Sequence, residues 1–165
     1  MNIQRTIKHL LTTQGQVAKA FPPETLKTIE LTISASEAAH TGEIRFAVED
    51  ALDGIALFRG QSPKERAIEL FAQLRVWDTE HNNGLLIYLL LADRAVEIVA
   101  DRGIDAKVGV EAWNAVCRQM EGDFKLSNYE GGVVKGVKAI TQHLATHFPA
   151  GEINRNELPD RPVLI

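Results

Sequence analysis

At 165 residues the chain has the size of one domain, because two independent cores would each be unusually small. Apolar residues make up 45 % and charged residues 24 %, which excludes the disordered and fibrous classes. The net charge of −4 comes without a block of Lys and Arg, so nucleic acid is excluded as the main partner.

Ile3 to Lys19 reads as a modest helix that packs on, or hangs off, the rest. The Pro22-Pro23 pair breaks the chain, and Glu24 opens a second helix with Leu26, Ile29 and Ile33 on one stripe, running to about Ala39. After Thr41-Gly42, residues Glu43 to Glu49 alternate as a strand. Ile44, Phe46 and Val48 are expected inward, and Glu43, Arg45 and Glu49 outward.

Ser62-Pro63-Lys64-Glu65 offers an N-cap serine, a proline at the first helical position and a glutamate placed to close a capping box. Ala67, Ile68, Phe71 and Leu74 form the expected buried stripe of a helix ending near Trp77. Asn82-Asn83-Gly84 is a tight turn, since Asn and Gly tolerate positive φ. Leu85 to Leu91 is nearly all apolar and suits a central strand covered on both faces. Ala92-Asp93-Arg94 is short enough for a hairpin into Ala95–Ala100, where Val96, Ile98 and Ala100 share one face.

One helix is predicted from about Asp105 to Met120. Another carries Val133, Val137, Ile140, Leu144 and Phe148 on a single stripe. The lone Cys117 lies at helical spacing from Trp113, Val116 and Met120 and reads as a small core residue. The tail after Pro149 is polar and proline-bearing, ordered only where it touches the body.

The fold class is α/β: a three-layer α/β/α sandwich with a mixed, mostly parallel sheet and one antiparallel hairpin strand. The divisions are an N-terminal helix over 1–21, an α/β domain over 22–149 and a polar tail over 150–165. Thr12, Thr13, Gln14 and Gln16 interrupt any secretory apolar region, and no stretch reaches the roughly 18 apolar residues of a membrane span. The chain is therefore expected to be cytoplasmic, with no membrane partner.

This topology makes a geometric prediction. Thr41, Gly42 and Glu43, then Asn82 and Asn83, then Asp101 and Arg102 fall at one end of the sheet, with Asp78 and Glu80 nearby. Oxygen-rich side chains there suit a hard divalent cation, Ca²⁺ or Mg²⁺, and the candidate metal set is Glu43, Asp78, Asn82, Asn83 and Asp101. The same residues also serve as ordinary turn residues. Glu49, Asp50, Asp53, Asp93 and Arg94 gather at the opposite end, where ligands of open α/β sheets bind. Arg102 or Arg94 is the candidate for balancing phosphate charge.

Other motifs carry less. His143 and His147 are spaced to share a metal, with no third ligand in sequence. Tyr129-Glu130-Gly131-Gly132 resembles a glycine-rich opening of a helix but lacks the Gly-Lys-Ser/Thr ending of a P-loop. No cysteine-phosphatase loop, Asp-x-Asp nucleophile pair, Gly-x-Ser-x-Gly or His-Glu-x-x-His is present, so any hydrolysis would depend on a bound metal.

Five segments in order carry a family likeness. Glu37-Ala38-Ala39-His40-Thr41-Gly42-Glu43-Ile44-Arg45 resembles the entry to the first strand of TPM-domain proteins. Asn83-Gly84-Leu85-Leu86-Ile87-Tyr88 followed by Asp93-Arg94 is similar to their Asn-Gly, apolar strand, Asp-Arg block. Arg102-Gly103-Ile104, Phe124 to Gly136 and Asn156-Glu157-Leu158-Pro159-Asp160 resemble three further segments, the last a soluble bacterial branch. Asn82 departs from relatives that often have a basic residue there.

The resemblance implies an α/β/α fold, with acid phosphatase activity and divalent-cation binding reported for some members. The expectation is a TPM-domain protein with a divalent-cation site and weak phosphatase activity, its catalytic residues unassigned. The alternative is a non-enzymatic module that recruits a protein partner through the N-terminal helix and acidic surface.

Overall fold

The computed structural model describes residues 3–12, 14–151 and 155–165. A mixed sheet of four strands in the order β3-β2-β1-β4 lies at its centre, among the described residues. β1 (Glu43–Glu49) runs parallel to β2 (Gly84–Leu90), with Glu43 opposite Gly84 and Glu49 opposite Leu90. β3 (Ala95–Ala100) returns antiparallel to β2. β4 (Val163–Leu164) adds in parallel on the other side of β1.

The predicted N-terminal helix is two helices, α1 (Ile3–Leu11) and α2 (Gln14–Ala20). α3 (Pro23–Ser36) starts at the double proline and buries Ile29 and Ile33 on the expected stripe. A short α4 (Gly54–Phe58) was not foreseen. Asp53 caps it by accepting from Ala56 N at 2.8 Å. α5 (Pro63–Gln73) has the full capping box: Ser62 N donates to Glu65 at 2.7 Å, and Glu65 N donates to Ser62 Oγ at 3.2 Å. Its buried stripe is Ala67 and Leu70, with Phe71 and Leu74 flanking. Ile68 points outward, against expectation, because the residues facing the sheet step from 67 to 70 and 71.

The helix predicted from Asp105 is also two. α6 (Arg102–Val108) and α7 (Val110–Lys125) are separated by Gly109 at φ 84°, a left-handed conformation that glycine adopts without a Cβ penalty. α8 (Tyr129–His147) completes the fold.

Two apolar layers cover the sheet. On one face Ile44, Phe46, Val48, Leu85, Ile87 and Leu89 meet α3, α7 and α8. On the other, Ala47, Leu86, Tyr88 and Leu90 meet α4, α5 and Leu158. The near-continuous apolar run of β2 follows from this double cover. Gly132 and Gly136 do not form a ligand loop. They lie inside α8, where a Cβ would strike Phe124 at 2.6 Å and Met120 at 2.4 Å, so they let α7 and α8 close together.

β1 corrects one expectation. Glu43, Arg45 and Glu49 share the second face with Ala47, yet all are buried rather than solvated. The C-terminal segment and α5 bring the partners that make this possible.

Candidate functional site

The amino end of β1 and β2 assembles much as the topology requires. Glu43 N donates to Asn83 O at 3.0 Å, Asn83 Nδ2 donates to Thr41 O at 2.6 Å, and Gly103 N donates to Asn82 O at 3.0 Å. Asp101 N donates to Gly84 O at 2.9 Å, and Asp101 Oδ1 accepts from Arg102 N at the start of α6. Asn82 takes φ 51° to make the turn.

The side chains do not form one ligand set, however. Glu43 is buried and its carboxylate accepts from Leu158 N at 3.0 Å. Asp78 is exposed and faces Arg75 at 3.6 Å. Asn82 is exposed, while Asn83 and Asp101 are buried, each with one side-chain oxygen lacking a partner among the described residues. Among the described residues no three His, Cys, Asp or Glu side chains converge to hold a metal ion. The five predicted donors therefore do not fit a shared cation, and no chemical step is routed through one. His143 packs edge-on to Trp113, with ring centroids 5.6 Å apart.

Beside this rim Glu43 belongs to an acidic group whose other members lie outside the candidate metal set. Glu37, Glu43 and Asp160 are close enough to interact, and Glu157 also acts on Glu43. Burial, then repulsion from Glu43 and Asp160, pushes the Glu37 carboxyl up to about 8. Burial likewise raises Glu43. Arg45 donates to the carbonyls of Pro159 and Arg161, so the C-terminal segment is strapped across β1. No local pattern marks this cluster, because Glu37 and Glu43 meet Glu157 and Asp160 from more than a hundred residues further along the chain.

The opposite end of the sheet holds a cavity of about 950 Å³. α1, α2 and the start of α3 form one wall, Leu91 to Arg94 a second, and Ser127 to Glu130 a third. Three cations line it: Lys8, Lys19 and Arg94. Arg94 sits in the left-handed region at φ 51° in the β2–β3 turn, with its side chain exposed. Asp93 is held from α1: Arg5 Nε lies 2.9 Å from Oδ2, and His9 Nε2 lies 3.1 Å from Oδ1. His9 Nδ1 in turn accepts from Leu52 N at 3.0 Å. Glu130 accepts from the Thr25 hydroxyl at 2.8 Å. Both acids that line the cavity are thus engaged, and none of the three cations forms an ion pair among the described residues.

A second network stands at the same end. Tyr88 OH donates to Glu49 Oε2 at 2.6 Å, and Arg66 grips both oxygens of Glu49 at 2.8–3.2 Å. Burial, then the Glu49 hydrogen bond, raises the Tyr88 hydroxyl far above its usual range, so it stays a donor. Arg94 and Arg102 flank β3 at its two ends, roughly 20 Å apart for a six-residue strand. A single phosphate cannot reach both, and only Arg94 opens on the cavity.

The fold is an open α/β sheet with helices on both faces and a cationic cavity at the carboxyl ends of its parallel strands, the place where ligands of open α/β sheets generally bind. The TPM-domain family model matches residues 16–143, and the chain belongs to that family. Among solved structures, it is similar to the BA42 protein of the psychrophilic bacterium Bizionia argentinensis. Identity is 28 % and the TM-score 0.76, over 86 % of this chain and 93 % of that one. The N-terminal domain of a protein from P. gingivalis shares the fold at 21 % identity and a TM-score of 0.60, over 86 % and 95 %. No curated protein matches the chain. Residues 3–12, which contribute Lys8 to the cavity and hold Asp93, lie outside the family match.

Proposed function

We propose that this TPM-domain chain binds a phosphorylated small molecule in the cavity at the carboxyl end of β2, with weak phosphomonoester hydrolysis as its accompanying activity. One observation carries the reading: Lys8, Lys19 and Arg94 line a single cavity, and none of them forms an ion pair among the described residues. Unpaired cations around a half-enclosed space lower the energy of a bound anion, and a guanidinium can meet phosphate through two parallel hydrogen bonds. The backbone N–H groups opening α8 at Tyr129 and Glu130 add favourable dipoles on the same wall. Leu11, Leu91 and Tyr129 supply apolar surface for the organic part of a ligand.

No nucleophile is assigned. Asp93, the cavity carboxylate beside Arg94, is occupied by Arg5 and His9 and serves as an anchor for α1. Titration with inorganic phosphate, followed by amide chemical shifts, is expected to move Arg94, Lys19 and Ser127–Glu130. Arg94→Ala combined with Lys19→Ala is expected to weaken binding about tenfold or more. Shifts confined to Asn82, Asn83 and Arg102 would move the site to the other rim, and a silent titration would remove it. Turnover of an aryl phosphate, with and without Ca²⁺ or Mg²⁺, tests the hydrolytic part separately.

A further inference from the structure

α1 is an amphipathic helix docked the wrong way round. Its polar face, Arg5 and His9, is turned into the domain against Asp93 and Leu52. Its apolar stripe faces out: Ile3, Ile7, Leu10 and Leu11 are 67 %, 50 %, 74 % and 68 % exposed. These positions repeat at helical spacing, so they form one continuous strip. A surface helix of a self-sufficient domain shows the reverse arrangement.

α4 extends the apolar surface at the same end of the sheet. The Leu52 N–H to His9 bond ties α1 to the loop that enters α4, whose Ile55 and Phe58 are 69 % and 79 % exposed. Six of the twelve large apolar side chains that are exposed among the described residues therefore belong to these two short helices. Such concentration, on the order of several hundred Å², is the upper end of what monomeric proteins leave bare without use.

Charge selects the occupant. Residues 3–20 contain no Asp or Glu, and with Arg5 held by Asp93 their Lys and Arg side chains outside an ion pair among the described residues are Lys8 and Lys19, although the whole chain is net −4. Lys8 flanks the α1 stripe and Arg59 follows α4 directly. A second copy would bring the same cations against themselves. A flat anionic surface with an apolar interior satisfies both features, since interfacial helices bury an apolar stripe beside basic residues at the headgroup level.

We infer that this end of the molecule docks on anionic lipid, with the outward stripe of α1 and the tip of α4 lying in the membrane interface and no segment crossing it. Ile7 and Leu10 line no part of the phosphate cavity, so the two sites are separable by mutation. The full chain is expected to co-sediment with vesicles containing phosphatidylglycerol, weakly with phosphatidylcholine alone, and less as salt is raised. Ile7→Asn with Leu10→Asn is expected to reduce the bound fraction about tenfold or more while circular dichroism and phosphate binding stay unchanged. Retention of vesicle binding in that variant would overturn the inference, as would absence of binding in the native chain. A native dimer that the same variant converts to monomer, without vesicle binding, would assign the strip to a second copy instead.

Discussion

Glu37 carries the clearest pH signature among single residues. It is 9 % exposed and faces Glu43 and Asp160. Because its folded value, about 8, lies above the ordinary carboxyl value of 4.5, the folded state holds this proton more tightly than the unfolded chain. Its contribution is therefore fully present below about pH 4.5 and is lost as pH rises to about 8. Glu37→Gln keeps the shape and removes the titration. Denaturant unfolding at several pH values should show native stability falling relative to the variant across that window, by on the order of 2–4 kcal/mol. Parallel pH profiles for the two proteins would place the charge elsewhere. Cys117 shows the same desolvation without consequence for ligands: burial pushes its thiol up to about 12, which matches a packed core residue.

At the scale of elements, the entry to β2 is built around an absent side chain. A Cβ on Gly84 would lie 1.9 Å from the Val76 carbonyl oxygen, and backbone at that position cannot swing away as a side chain could. Gly84→Ala is expected to cost about 3 kcal/mol or more in denaturant unfolding, with the Asn82–Asn83 turn shifting as β2 is displaced. An alanine variant of native stability would mean that the loop after α5 yields freely. Asn82, at φ 51°, makes the tight turn expected over Asn82-Asn83-Gly84, while Gly84 itself opens β2. Close approach to Val76 was not legible, because residue 76 and residue 84 meet only through the fold. The same holds for Gly109, whose positive φ splits one expected helix into α6 and α7.

On the scale of the whole molecule, the C-terminal segment is a structural component of the sheet. β4 pairs with β1, Ile165 N donates to Val48 O at 3.0 Å, and Asp50 N donates to Ile165 O at 3.4 Å. Leu158 enters the second core layer, while its backbone N–H satisfies Glu43 and the carbonyls of Pro159 and Arg161 satisfy Arg45. Removing residues 155–165 would leave a buried carboxylate and a buried guanidinium without those partners. The truncated chain is expected to lose about 3 kcal/mol or more and to melt about 10 °C lower. An unchanged melting temperature would reduce the strap to decoration.

The positions of β1, β2 and β3, the capping box at Ser62, the double-proline helix start and the parallel pairing of β1 with β2 were all readable in the chain, whereas β4 lies in what reads as a polar tail. Each depends on side-chain period, turn chemistry or connection rules that act over a few residues to a few tens. The convergence of Thr41, Asn83 and Asp101 at one rim followed from strand direction in the same way. The burial of Glu43, Arg45 and Glu49, the cationic cavity under α1 and α2, and the outward turn of the α1 stripe were not readable. A charged residue alternating with apolar ones looks solvated until a distant segment supplies its partner, and only the packed chain decides which segment that is.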